Sequence, residues 1–128
     1  MKKLILCFDI DNVLCKSSGN NYKKSKPIKK NINAVNILKS RGHYIKVFTS
    51  RFMGRNNENK LLAKKQGYNF TKKQLKIWGV NYDKLIFGKP SYDLFVDDKN
   101  LSFNKNWAIK ILKKIKIWNQ LLQEEEVL

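Results

Sequence analysis

The first apolar run of the chain, residues 3–8 (KLILCF), is continuous and stops at Asp9. Such a run is typical of a strand that is buried in a parallel sheet. Three further short apolar runs predict three more strands, at residues 44–48 (YIKVF), 83–87 (DKLIF) and 92–96 (YDLFV). Polar residues follow each of the four runs at once.

Between the predicted strands, apolar residues recur at helical spacing and predict helices. Residues 32–38 predict a helix that ends at Arg41 and Gly42, and residues 61–67 predict a second helix. Thr71 is expected to cap a third, short helix that ends at Gly79.

The end of the chain, residues 104–122, predicts a long amphipathic helix. Its main apolar face consists of Ala108, Ile111, Leu112, Ile115, Trp118 and Leu122. A second apolar stripe consists of Trp107, Ile109, Ile117 and Leu121. The second stripe suggests a contact between copies of the chain in a homo-oligomer, although a helix packed on two sides would show the same pattern.

Strands that alternate with helices predict an α/β fold. We expect residues 1–128 to form a single domain, a Rossmann-like three-layer sandwich with a central parallel sheet. The polar residues 16–30, around Pro27, predict a loop that acts as a flap. The apolar runs are much shorter than the roughly 20 residues that span a bilayer, so no membrane insertion is expected. The two cysteines have no metal-ligand spacing, and we expect a reduced, cytoplasmic protein.

The chain is strongly basic, with 27 Lys and Arg against 10 Asp and Glu and a net charge of +17. This excess would suit a nucleic acid or another polyanion. However, only 3 of the basic residues are Arg, the residue that bidentate recognition favours. The chain also has 15 Asn and 12 Ile, and a composition rich in Lys, Asn and Ile is what an AT-rich genome would produce. We therefore favour a solvated lysine-rich surface over a nucleic-acid partner.

Clusters of polar residues at the ends of the predicted strands are the candidate functional site. The carboxyl ends of parallel strands share one edge of a sheet, and ligands bind there. Carboxylates placed close together against their mutual repulsion indicate a cation between them, such as a divalent metal. The clusters are Asp9 with Asp11, residues 49–51 (TSR), Lys89, and Asp97 with Asp98.

Four motifs in order resemble those of the haloacid-dehalogenase (HAD) superfamily. They are DIDNVL at 9–14, FTSR at 48–51, GKP at 88–90 and VDD at 96–98. Residues 78–98 also resemble a narrower branch, the capsule-biosynthesis phosphatases. The gaps between the motifs leave no room for a cap domain, so the resemblance is to a capless member.

The resemblance assigns catalytic roles to four residues. It makes Asp9 the nucleophile that forms an aspartyl-phosphate. Asp11 would protonate the leaving alcohol and then activate water. Thr49 would bind the phosphoryl oxygens, with Ser50 as the alternative, and Lys89 would offset negative charge.

The resemblance also implies Mg²⁺, held by Asp9, Asp97 and the backbone carbonyl of Asp11, with Asp98 orienting these ligands. Asn12 stands where the family commonly has a small residue, and we group it with Ser50 on the substrate-binding side. Arg51 fits substrate binding and a structural ion pair equally well.

The function that the sequence supports best is Mg²⁺-dependent hydrolysis of a small phosphorylated metabolite. The narrower resemblance points to a sugar, polyol or amino-alcohol phosphate of capsule or surface-polysaccharide biosynthesis. The alternatives are a phosphatase acting on nucleic-acid ends or another polyanion, and a non-catalytic basic binding module.

Overall fold

The computed structural model describes residues 2–116, which alternate strands with helices. In chain order, the elements are β1 (Ile5–Phe8), β2 (Cys15–Lys16), β3 (Lys26–Pro27), α1 (Lys29–Ser40), β4 (Tyr44–Thr49), α2 (Lys60–Ile77), β5 (Lys84–Phe87) and α3, the helical residues 107–116. The predicted α/β class and three of the four predicted sheet strands are confirmed.

The central sheet has three parallel strands in the order β1-β4-β5. Phe8 lies opposite Val47, and Val47 lies opposite Leu85, so these three side chains share a face. All three are buried in one core with Val35 of α1 and Leu75 of α2. Right-handed crossovers from β1 to β4 and from β4 to β5 place both connecting helices on the same face.

The opposite face of the sheet is only partly covered in the part of the chain that the structure describes, with Lys46, Phe48 and Ile86 half-buried. Ile5, Cys7, Tyr44 and Lys84 point to this face and are exposed. The described residues thus show a parallel sheet with helices packed against it, and the three-layer form of the sandwich stays a prediction.

Helix α3 packs on the core side of β1. The Trp107 ring lies 5.7 Å from the Phe8 ring, centre to centre, and both residues are buried. Trp107 therefore belongs to the core, contrary to the predicted outward stripe, whereas Ile109 is exposed as expected. The predicted stripe residues Ile117 and Leu121, and the predicted core residues Trp118 and Leu122, lie outside the described residues. Among residues 2–116, no helix has the length and apolar content that a membrane span requires.

The predicted strand at residues 92–96 does not form. Residues 91–100 are exposed throughout and hold no strand, with Leu94 83% and Val96 88% exposed. A strand is stable only when its backbone groups find partners in a neighbouring strand, and this segment pairs with none of the described strands. The prediction of a fourth strand was wrong for this reason.

One helix, α2, replaces the two that the sequence predicts around Gly67 and Thr71. It begins after Asn59, whose side chain accepts a hydrogen bond from the Leu62 amide at 3.2 Å. Thr71 lies buried within the helix and does not cap it. Gly67 is also buried within α2, where it faces the ring of Phe52. Tertiary packing thus overrides the local signals for a break.

The flap has more structure than the predicted loop. Strands β2 and β3 form an antiparallel hairpin in which Cys15 pairs with Pro27 and Lys16 with Lys26. A single helical turn, Tyr22–Lys24, lies at its tip. In the structure the flap thus comprises residues 15–27, compared with the predicted residues 16–30.

The single histidine of the chain gives a pH-dependent test of the fold. His43 is buried, and its Nδ1 accepts a hydrogen bond from the Leu4 amide at 3.0 Å. Burial, with a smaller effect from Arg41, lowers the pKa of His43 below its usual value. The unfolded chain therefore binds the proton more readily, and we expect stability to fall as the pH drops below about 6.5.

Urea denaturation between pH 7 and pH 5 measures this effect. His43→Asn keeps an acceptor for the Leu4 amide but cannot titrate in this range. The slope of stability against pH should flatten in this variant. An identical slope in both proteins would assign the pH dependence to other groups.

Candidate active site

Three of the four predicted polar clusters meet at the carboxyl edge of the sheet. Asp9 and Asp11 follow β1, residues 49–51 end or follow β4, and Lys89 follows β5. These strands are parallel neighbours, so their ends lie side by side. The Lys89 amide donates a hydrogen bond to the Thr49 carbonyl at 3.1 Å, which joins two of the clusters directly.

Asp9 and Lys89 form an ion pair across this edge. The Lys89 Nζ lies 2.9 Å from Oδ2 of Asp9, and the side chains are 12% and 28% exposed. The Ile10 amide donates to the other carboxylate oxygen at 2.7 Å, which fixes its orientation. Burial acts to lower the pKa of Lys89, but hydrogen bonds to Tyr92 and Asp9 outweigh it and raise the pKa above its usual value. Lys89 is therefore a cation held against a partly accessible carboxylate.

Gly88 sets the direction of the chain just before Lys89. Its φ of 100° is in the region that favours glycine. A Cβ at this position would lie 2.8 Å from Cδ of Lys60. The GKP motif thus needs its glycine for the turn, whereas the flexible Lys60 side chain can move away from a Cβ.

Asp11 forms a bidentate pair with Arg51. The Arg51 Nε and Nη2 lie 2.9 Å from Oδ2 and Oδ1 of Asp11, respectively. The Arg51 side chain is 0% exposed and that of Asp11 is 21% exposed. Two parallel charge-assisted hydrogen bonds fix both planar groups.

The rest of the Arg51 guanidinium also has partners within the chain. Its Nη1 donates to Oε1 of Gln74 at 2.6 Å and to the Thr71 hydroxyl at 3.4 Å. Its central carbon lies 4.7 Å from the centre of the Tyr22 ring. Of the two roles open for Arg51, the structure favours the structural ion pair over substrate binding.

The flap also reaches Asp11. The Ser17 hydroxyl donates to Asp11 Oδ1 at 2.5 Å and is hydrogen-bonded to the Ser25 hydroxyl at 2.6 Å. The buried Cys15 thiol lies 3.6 Å from the same carboxylate oxygen, and burial raises its pKa. Sequence reasoning did not identify Ser17, because its position comes from the folding of the hairpin and no local motif marks it.

The predicted phosphate-binding and substrate-binding residues Thr49, Ser50 and Asn12 differ in how far they are exposed. Thr49 is fully buried, and its hydroxyl oxygen accepts a hydrogen bond from the Arg51 amide at 3.1 Å. Ser50 is half-buried and is the more accessible of the two hydroxyl residues. Asn12 is exposed with a φ of 65°, and its side chain accepts from the Ser17 amide at 3.3 Å. The structure thus gives Asn12 a role in the turn.

Asp97 and Asp98 do not join the other clusters. Both lie in the exposed segment 91–100, where Asp97 accepts a hydrogen bond from the Lys99 amide at 3.2 Å. This hydrogen bond is the main cause that lowers the pKa of Asp97. Within residues 2–116, no group of three or more His, Cys, Asp or Glu side chains is arranged to hold a metal ion. The described arrangement therefore does not complete the Mg²⁺ ligand set that the resemblance implies.

Comparisons with known proteins bear on the fold. No protein-family model matches the chain, and no curated protein matches it. A crystal structure of an MCSG target from Vibrio cholerae is similar, with a TM-score of 0.72 and 21% sequence identity. The match covers 87% of this chain and 98% of the Vibrio cholerae chain. At this identity the likeness concerns the fold alone, a small Rossmann-like α/β fold.

Proposed function

We propose that the protein is a phosphomonoester hydrolase that uses Asp9 as its nucleophile. The observation that carries the proposal is the Asp9–Lys89 pair, 2.9 Å apart at the carboxyl edge of a parallel sheet. A carboxylate can attack a phosphate only if positive charge offsets the repulsion between them. Lys89 is a fixed cation at the required place, and the order of the HAD-like motifs supports the same assignment.

The reaction has two steps. A carboxylate oxygen of Asp9 bonds to phosphorus as the bond to the leaving oxygen breaks, which gives an aspartyl-phosphate. Asp11 must first take up a proton and give up one of its hydrogen bonds with Arg51. It then gives this proton to the leaving oxygen and again becomes the carboxylate that Arg51 binds. In the second step, the oxygen of a water molecule bonds to phosphorus as the bond between phosphorus and the Asp9 oxygen breaks, and Asp11 takes the proton from this water. Phosphate is released, and both aspartates return to their starting states.

The substrate class and the metal rest on the resemblance. Residues 78–98 favour a sugar, polyol or amino-alcohol phosphate of capsule or surface-polysaccharide biosynthesis. Mg²⁺ stays a prediction, because the described residues bring Asp9 and Asp11 to this edge without Asp97.

Release of inorganic phosphate from a generic aryl phosphate tests the proposal. We expect release at neutral pH, and its loss with EDTA would support the metal prediction. Measuring substrate binding over a series of salt concentrations distinguishes a small phosphate monoester from a polyanion. Binding to many phosphates weakens steeply with salt, whereas binding to one phosphate does not. No phosphate release, with or without added Mg²⁺, would favour the non-catalytic binding module instead.

A further inference from the structure

A cavity of about 300 Å³ lies between the flap, the segment after β4 and helix α2. Three aromatic side chains line it, namely Tyr22, Phe52 and Phe70. Among the described residues of the lining, two are cationic, Lys23 and Arg55, and none is acidic. A lining of this composition suits a ligand that combines an apolar ring with negative charge.

The cavity adjoins the Asp11 side of the candidate active site. The Tyr22 ring belongs to its wall and also packs on the Arg51 guanidinium, 4.7 Å from the ring centre. Arg51 in turn holds Asp11 through two hydrogen bonds. Tyr22 therefore contacts the Arg51 guanidinium and also lines the cavity.

The positive charge over the cavity is available to a ligand. The Arg55 guanidinium lies over the Phe52 ring at 4.4 Å and over the Tyr22 ring at 5.7 Å, and it donates one hydrogen bond to the Asn20 carbonyl. Within residues 2–116, neither Arg55 nor Lys23 forms an ion pair. Stacking thus orients the guanidinium without neutralising it.

The aromatic wall is fixed before any ligand binds. Phe52 has a φ of 66°, a conformation that bulky residues rarely adopt. Its ring lies where a Cβ of Gly67 would come within 2.2 Å, so only glycine fits beneath it. On the other side, the ring lies 5.2 Å from that of Tyr22. Strain held in place by such packing is typical of binding sites.

We infer that this cavity binds the leaving group of the substrate and selects one that carries a ring and an anionic group, which among the substrates proposed above favours a sugar over a polyol or an amino alcohol. The inference rests on the proposed function, because the group that protonates the leaving oxygen, Asp11, must lie on the leaving-group side. The leaving group then extends past Tyr22 towards Arg55. Rings stack on Phe52 and Phe70, and the anionic substituent pairs with Arg55.

Three phosphate esters test this inference: methyl phosphate, phenyl phosphate and 4-carboxyphenyl phosphate. Arg55→Gln should lower kcat/KM for 4-carboxyphenyl phosphate about tenfold, with less than about a twofold effect on phenyl phosphate. Phe70→Ala should lower kcat/KM for both aryl esters about three- to tenfold and leave methyl phosphate unchanged. Because each variant is compared across esters, differences in leaving-group reactivity cancel. Arg41→Gln, an equal loss of charge at the other edge of the sheet, should show no selectivity between the esters.

Binding of benzoate separates this inference from the proposed function. Benzoate carries the ring and the carboxylate without a phosphate, so titration calorimetry measures its binding independently of hydrolysis, and comparison of the variants assigns that binding to the cavity. Weaker binding in Arg55→Gln than in Arg41→Gln would support the cavity as a site even if no ester were hydrolysed. Hydrolysis with unaltered ester selectivity in both cavity variants would overturn the inference and leave the hydrolase intact. Failure of benzoate to bind at millimolar concentration would also overturn it.

Discussion

Asp9→Asn is expected to lower the rate of phosphate release by roughly a thousandfold or more, the scale seen when a covalent nucleophile is removed. The amide oxygen of Asn can still accept the Ile10 amide hydrogen bond, so the turn after β1 should persist. The amide cannot, however, form a stable bond to phosphorus. The measurement is kcat for inorganic phosphate release from an aryl phosphate, with circular dichroism to establish that the fold is intact.

Asp83→Asn is the matched control for this prediction. Asp83 lies at the start of β5, on the opposite edge of the sheet, and accepts a hydrogen bond from the Ile45 amide at 2.7 Å. The same loss of charge there should leave kcat at neutral pH within about twofold of the wild-type value. If Asp9→Asn retained full activity, Asp9 would not be the nucleophile and the proposed reaction would fail.

The sequence predicts the three strands of the central sheet because each strand is a short, continuous run of mostly apolar residues. Residues 3–8, 44–48 and 83–87 are short apolar runs that each end at polar residues. Parallel pairing then brings their carboxyl ends together without further information. The meeting of Asp9 with Lys89, 80 positions apart in the chain, follows from this geometry alone.

The segment 92–96 has the same apolar pattern and a different outcome. The pattern measures how well a segment would suit a buried strand, but it does not show whether a strand edge is available to it. Leu94 and Val96 are exposed, and the predicted convergence of Asp97 on Asp9 depended on that strand. The error about the strand and the incomplete metal site therefore have one cause.

The role of Arg51 could not be read from its surroundings in the sequence. Local sequence places it after β4, at the carboxyl edge, which fits a substrate ligand and a structural partner alike. Its burial comes from residues far along the chain, namely Tyr22 in the flap and Gln74 in α2. Neither periodicity nor a motif predicts contacts between residues so far apart in the chain. Only the folded structure therefore distinguishes a substrate-binding Arg51 from one in a structural ion pair.

Asp11→Asn is expected to lower both the stability and the activity of the protein. It leaves the fully buried Arg51 guanidinium without a counter-charge, and removing one partner of a buried pair costs about 3–5 kcal/mol. We expect the lower end, about 3 kcal/mol, because Asp11 is partly exposed and Gln74 and Tyr22 keep their contacts with the guanidinium. Urea denaturation measures the free energy of unfolding. Against a typical total of about 5–15 kcal/mol, the loss should be obvious.

The double variant Asp11→Asn with Arg51→Met separates the structural role of Asp11 from the chemical one. Removing the buried charge as well should restore most of the stability, since an apolar side chain of similar length can fill the same space. Activity should stay low in both variants, because neither has a group to protonate the leaving oxygen. Wild-type stability of Asp11→Asn would contradict the buried pair. Recovery of activity along with stability in the double variant would show that Asp11→Asn lost activity through the unpaired Arg51 charge, and that Asp11 has no part in proton transfer.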